Sequence, residues 1–126
     1  MAIQLSTAVR NGRLDALETV IGTSAVLKIF SGSMPANPAT ADSGTLLANM
    51  SLQSDWMNAA SSGSKTKNGT WSDASADGTA SAGYFRLYAS DGTTCGLQGT
   101  ITATGGGGDK INVATYSNIW VGFSLN

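Results

Sequence analysis

The chain has no histidine, a single cysteine (Cys95) and a single glutamate (Glu18), and each shortage closes off chemistry. Without imidazole there is no Ser-His or Cys-His nucleophile pair, and the commonest zinc and iron ligand is missing. One cysteine allows neither an intrachain disulfide nor a thiolate metal cluster, and its expected role is that of a small buried hydrophobe. A hydrolase built on paired carboxylates would have to draw on Asp42, Asp55, Asp73, Asp77, Asp91 and Asp109, most of which adjoin Gly or Ser and read as turn residues. The sequence therefore points away from an enzyme, with no catalytic residue, cofactor or metal ligand to name.

Charge is scarce as well. Charged residues make up 12% of the 126-residue chain, about half the usual share, and the net charge is −1. The seven basic residues are scattered: Arg10 and Arg13 near the start, Lys65 and Lys67 in a polar stretch, and Lys28, Arg86 and Lys110 each alone. They make no stripe of the kind that binds a phosphate backbone, so nucleic acid is not an expected partner. No run approaches the roughly 18 apolar residues of a membrane span. The opening residues do not form a basic-then-apolar secretory leader, so a soluble protein made in a cytoplasm is expected. Gly, Ala, Ser and Thr fill the surface instead, which suits a protein packed beside copies of itself or against a larger shell. An ordinary β domain with long polar turns is the plainer alternative.

Hydrophobic residues at 41% suffice for one core, and the texture changes once along the chain. Residues 1–22 read as an amphipathic helix. Leu5, Val9, Leu14, Leu17 and Ile21 recur near helical spacing, Ser6 or Thr7 can cap the start, and Gly22 supplies the stop. This stripe is expected to cover the chain's own sheet or to dock on a neighbour, and its charged residues to pair along the helix surface.

Residues 23–126 read as β. Strands are expected over 25–30, 45–51, 82–88, 95–102, 111–113 and 119–125, with a shorter one at 69–72. A short helix capped by Ser54 is expected over 54–60, polar loops over 31–43 and 61–68, and a glycine loop at 105–108. Asp91-Gly92 is the clearest hairpin signal. Within 82–88, Tyr84, Arg86 and Tyr88 share one face, while Phe85 and Leu87 share the other. The pattern predicts a mainly β fold, a small antiparallel β-sandwich or partly closed barrel with one N-terminal helix.

Some motif-like strings are weak on inspection. Asp73-Ala-Ser-Ala-Asp-Gly78 begins like a calcium loop, but its twelfth position is Tyr84 where a bidentate glutamate is needed. Ser62-x-x-Lys65 matches a serine-lysine acylase signature without its companion motifs. The glycines of 105–108 lack the spacing of a phosphate loop. The aromatic residues Trp56, Trp71, Trp120, Tyr84, Tyr88 and Tyr116 could stack on sugar rings, but core and interface filling is favoured for them.

The opening Leu5-Ser-Thr-Ala-Val-Arg-Asn-Gly-Arg-Leu-Asp-Ala-Leu-Glu18 resembles the start of a group of small proteins encoded in tailed-phage genomes. The resemblance continues through Ile21-Gly-Thr-Ser24, Pro35-Ala-Asn37, Ala41-Asp-Ser-Gly-Thr-Leu-Leu47, Ser54-Asp-Trp-Met57, Gly69-Thr-Trp71 and Thr102-Ala-Thr-Gly-Gly-Gly-Gly108. It implies a setting, the virion assembled in a bacterial cytoplasm, and no reaction. The expected role is a capsid decoration (cement) protein bound to the major capsid protein or other virion proteins and to copies of itself. A tail, neck or baseplate component and a glycan-binding host-recognition module are the alternatives. Leu5, Val9, Leu14, Leu17 and Ile21 of the helix, with Tyr84 and Tyr88, are the expected interface.

Overall fold

A computed structural model describes residues 2–101, together with the backbone pairing of 112–113, 119–120 and 124–125. The helix, α1, spans Thr7–Ile21. Ser6 stands at its N-cap in extended geometry and its hydroxyl accepts from the Val9 amide at 3.3 Å. At the other end Gly22 takes φ +95° and its N–H reaches the Glu18 carbonyl at 2.8 Å. Both ends therefore fall where the capping residues predict.

The strands are β1 (Val26–Ser31), β2 (Leu46–Ser51), β3 (Lys65–Thr66), β4 (Ser72–Asp73), β5 (Ala80–Tyr88), β6 (Cys95–Thr100), β7 (Asn112–Val113), β8 (Ile119–Trp120) and β9 (Ser124–Leu125). The fold is mainly β. Its main sheet is antiparallel in the order β2-β1-β5-β6, with β7 pairing the start of β5. The β2-to-β6 path does not close on itself, so the sheet is open. The β5–β6 hairpin turns where expected: the Asp91 carboxylate accepts from the Thr93 and Thr94 amides, each at 2.8 Å. Those bonds, led by the Thr94 hydroxyl, hold the Asp91 carboxyl down at about 2.

Strand alternation sorts side chains onto two faces, and both are covered. Leu27, Ile29 and Leu87 face the main core with Leu47, Met50, Trp56, Met57 and Trp71. The two tryptophans meet at a tilt, with ring centroids 6.0 Å apart. On the opposite face Phe30 stacks on Tyr84 at 5.0 Å, with Tyr88 alongside. Here the cover is the connection between β1 and β2, and Arg86 holds it down. Arg86 is 2% exposed, and each of its five N–H groups has an acceptor. Nε and Nη2 donate to Gln98 Oε1 at 3.1 and 2.8 Å; Nη1 donates to the Thr40 carbonyl and Asp42 Oδ1, both at 2.8 Å; Nη2 also reaches the Asn37 carbonyl at 3.2 Å. Tyr84 adds a bond from its hydroxyl to the Ser43 carbonyl at 2.6 Å, and the Tyr88 hydroxyl donates to Asp42 Oδ1. Burial, followed by the Asp42 carboxylate, pushes the Tyr88 phenol well above its usual range.

The rest of the chain forms a second run of pairing. Residues 65–81 are matched antiparallel by three short ladders, β7 on β5, β8 on β4 and β9 on β3. Of the strand expected over 119–125, residues 119–120 and 124–125 are paired, and 121–123 lie outside the described residues. The glycine loop at 105–108 and Tyr116 also lie outside them, as does Ile111 of the strand expected at 111–113.

The helix expected over 54–60 is absent. Backbone groups there pair across to 66–68 and not along a helix: Asn58 N to the Thr66 carbonyl and Asn68 N to the Trp56 carbonyl, both at 2.9 Å. Trp56 is drawn into the core, its indole N–H donating to the Gly22 carbonyl at 2.8 Å. Local helix propensity is small, and this tertiary pairing overrides it.

Arg86→Met removes all five bonds and strands Asp42, Gln98 and two loop carbonyls. The expected loss is about 3 kcal/mol, toward the lower end for a broken buried pair because Asp42 keeps contact with water. Urea denaturation measures the loss, and limited proteolysis should show new cleavage within 32–45.

Candidate functional site

Helix α1 carries the features closest to a functional site, and its two faces differ. The inner face is polar as well as apolar. Asn11, Asp15 and Glu18, spaced four and three residues apart, lie on one side of the helix. Asn11 Oδ1 accepts from the Gly63 amide at 2.8 Å, Asp15 Oδ1 from the Ala60 amide at 2.9 Å, and Glu18 Oε1 from the Met57 amide at 3.3 Å. The Gly63 amide belongs to a two-residue turn in which Ser62 and Gly63 both adopt positive φ, closed by reciprocal Ser61–Ser64 backbone bonds, while the Met57 and Ala60 amides come from the extended segment leading into it.

Lys65, at the head of β3, joins the turn to the helix. Its side chain is 1% exposed, and its ammonium donates to Asp15 Oδ1 at 2.7 Å, Glu18 Oε2 at 2.9 Å and the Asn58 carbonyl at 2.8 Å. Three N–H groups meet three acceptors. Burial by itself lowers the Lys65 pKa, but the bonds to Asp15 and Glu18 outweigh it and hold the amine above its usual range. The hydrogen bond from Lys65, and then that from the Ala60 amide, hold the Asp15 carboxyl below its own. A cleft of about 410 Å³ opens beside this cluster, bordered by Asp15, Glu18, Thr19, Asp55, Met57 and Lys65. A protonated lysine with every N–H engaged has no lone pair to offer, so Ser62-x-x-Lys65 has no activating base here. Its role is electrostatic: it anchors α1 to the β layer.

Apolar contacts complete the anchor. Leu14 and Ile21 are buried, and Leu17 is half-buried. Ile21 approaches β6 at Gly96, where a Cβ would lie 2.5 Å from Ile21 Cγ1, so any larger residue would push the helix off.

The outer face is different. Leu5 and Val9 are exposed, as are Ile3 ahead of the helix and Val20 near its end, the last at 83%. The single stripe expected from the spacing does not form: Leu14, Leu17 and Ile21 turn inward, Val9 turns outward with Val20, and Leu5 lies ahead of the helix, before the extended Ser6 cap. With apolar residues on both sides, α1 is only weakly amphipathic. The expected charge pairing along the helix is also replaced, because Asp15 and Glu18 reach Lys65. Val20, Asp15 and Lys65 escape a hydrophobic-periodicity search, although the Asn11-Asp15-Glu18 spacing was a visible sign of a polar contact.

Tyr84 and Tyr88 do not form the expected docking face. They are 0% and 2% exposed, closed in by the segment that Arg86 and their own hydroxyls hold down. Trp56 and Trp71 are buried too, so none of these four rings is open to stack on a sugar. Cys95 is half-buried, and burial pushes its thiol above the usual range. The Asp73 carboxylate, first in the calcium-like string, accepts from the Asn49 and Ser75 amides at 3.1 and 3.0 Å. Among the described residues no three His, Cys, Asp or Glu side chains are grouped to hold a metal ion, and no helix is long and apolar enough to cross a membrane.

No protein-family model, curated protein or solved structure matches the chain. Helix α1 thus has an inner face committed to the chain's own β layer and an outer face with exposed aliphatic side chains.

Lys65→Ala leaves two carboxylates facing each other without their cation. It should lower stability by about 2–3 kcal/mol, less than for a fully buried pair because both acids keep some access to water. Far-UV circular dichroism in urea measures this. The pH dependence follows from Asp15. Its folded pKa lies below the unfolded 3.8, so its stabilisation is complete above pH 3.8 and fades as pH falls further. Asp15→Asn should remove that part of the acid limb in a pH-melting series while leaving the shape of the profile above pH 5 unchanged.

Proposed function

We propose that this chain is a structural protein of a tailed-bacteriophage particle, most concretely a capsid decoration protein that binds the outer shell beside copies of itself. The observation that carries the reading is the outer face of α1. Val9 and Val20 remain exposed on a helix whose inner face is already fixed to the domain by Lys65, Leu14 and Ile21, and Leu5 is exposed just ahead of it. A helix docked this firmly does not need those side chains for its own fold, so their natural use is contact with another molecule.

The surface composition supports the same reading. Few charges and many small side chains lower the cost of close packing between neighbours. The resemblance of the opening residues and the later strings to small tailed-phage proteins is the reason for proposing this setting. Binding of many copies, each with modest affinity, would stabilise a shell through mass action and avidity.

Quantitative mass spectrometry of purified particles tests the proposal. The chain is expected in the particle at a copy number on the order of hundreds, as repeated shell symmetry requires. About a dozen copies or fewer would place it on the tail, neck or baseplate. Absence from the particle would remove the proposal.

A further inference from the structure

We infer that helix α1 is exchanged between two copies of this chain, each copy's helix seating on the other's β layer. The inference goes beyond the virion reading and does not depend on it, because every contact it uses lies within the chain's own fold.

The first observation is how α1 is attached. Among the described residues no backbone-to-backbone hydrogen bond joins it to a strand. Side chains hold it instead: Asn11, Asp15 and Glu18 on the amides of Gly63, Ala60 and Met57, and the two acids again on Lys65. None of these contacts requires helix and β layer to belong to the same copy. They do require this particular helix. A departed α1 would take away two of the three acceptors of the Lys65 ammonium, which is 1% exposed. An unpaired buried charge is costly, so the seat does not stay empty. Its match is a helix with polar acceptors at the spacing of Asn11, Asp15 and Glu18 and an isoleucine that fits against Gly96. A second copy's α1 supplies that set.

The second observation is the connection from α1 to β1. Within residues 22–25 both Gly22 and Ser24 take positive φ, +95° and +55°. Glycine adopts such backbone freely, whereas for serine it is uncommon and unfavourable. Thr23 and Ser24 are exposed, and the backbone tie at this point is one bond from Ser24 N to the Ser54 carbonyl at 3.2 Å. Exchange lets Thr23 and Ser24 straighten, while the Gly22 carbonyl meets the same Trp56 indole on the other copy. A short strained hinge beside an otherwise unchanged interface favours reciprocal exchange, and mass action makes it depend on protein concentration.

The test uses the purified full chain, unfolded in urea, refolded at a series of concentrations and followed by sedimentation velocity. Wild type should contain a dimer whose share rises with concentration. Ser24→Gly relieves the unexchanged form and should weaken the dimer about tenfold or more, since two hinges relax at once. Ser24→Val keeps the N–H but resists positive φ, and should strengthen it.

Mixing two further variants shows whether the helix itself changes places. Lys65→Ala leaves Asp15 and Glu18 without their cation, and Asp15→Ala with Glu18→Ala leaves Lys65 without its carboxylates. Refolded together, exchanged copies carry one intact cluster and one seat lacking all three charges, so no charge is stranded. The mixture should give a heterodimer in native mass spectrometry that melts above either variant refolded alone. No heterodimer, or one melting no higher, would overturn the exchange. The Ser24 variants leave the cluster intact and decide the question even where a cluster variant does not fold. Wild type and Ser24→Val both monomeric throughout, or the same dimer share in wild type and both Ser24 variants, would overturn it as well. Copy number in particles is a separate measurement, so failure of either reading leaves the other standing.

Discussion

The guanidinium of Arg86 points all five of its N–H groups at acceptors inside the protein, and the arrangement of the sheet depends on that. It sits on β5, between β1 and β6, on the face away from the main core. A charge there is tolerable only when it is paired and fully hydrogen-bonded. The required acceptors come from Gln98 on β6 and from Asn37, Thr40 and Asp42 in the connection between β1 and β2. A segment with both prolines and little apolar content is thereby made into a cover. Phe30, Tyr84 and Tyr88 are buried because this cover is in place.

Lys65 repeats the same physics at the other side of the molecule. Again a cation is buried, again each N–H has an acceptor, and again the acceptors come from distant parts of the chain. The result is a helix held at a defined rotation. Hydrophobic contact alone would place α1 loosely, since its apolar residues lie on both sides. Asn11, Asp15 and Glu18 hold it to the 57–65 segment, and that choice decides which aliphatic residues end up facing solvent. Among the described residues no buried side-chain nitrogen or oxygen lacks a partner. The two charged residues buried among the described residues, Lys65 and Arg86, both sit where they organise structure.

The functional reading follows from that division. Among the described residues the two buried cations are both saturated: the Lys65 ammonium and the Arg86 guanidinium have an acceptor for every N–H. What the molecule presents outward is a small-residue surface and one helix face with aliphatic side chains and arginine. The proposed attachment to a larger assembly builds on that exposed helix face.

Much of the fold could be read from local pattern. Ser6 and Gly22 bounded the helix, Asp91-Gly92 marked the hairpin, and alternation over 82–88 separated Tyr84, Arg86 and Tyr88 from Phe85 and Leu87. The short helix over 54–60 failed because cross-chain backbone pairing with 66–68 outweighed a weak local preference. The candidate interface failed in a different way. Helical spacing reports that Val9, Leu14, Leu17 and Ile21 lie on a helix, but not which arc of it meets the domain, and it ran one turn too far in taking in Leu5, which precedes the Ser6 cap. Alternation likewise puts Tyr84 and Tyr88 on one face without showing that the face is covered. Local sequence determined the secondary structure, its ends and its turns, because caps, turn residues and periodicity act within a few residues. Tertiary structure alone decided what is inside and what is outside: the acceptors for Arg86 and Lys65 lie up to about fifty residues away along the chain, and only folding brings them within hydrogen-bond distance.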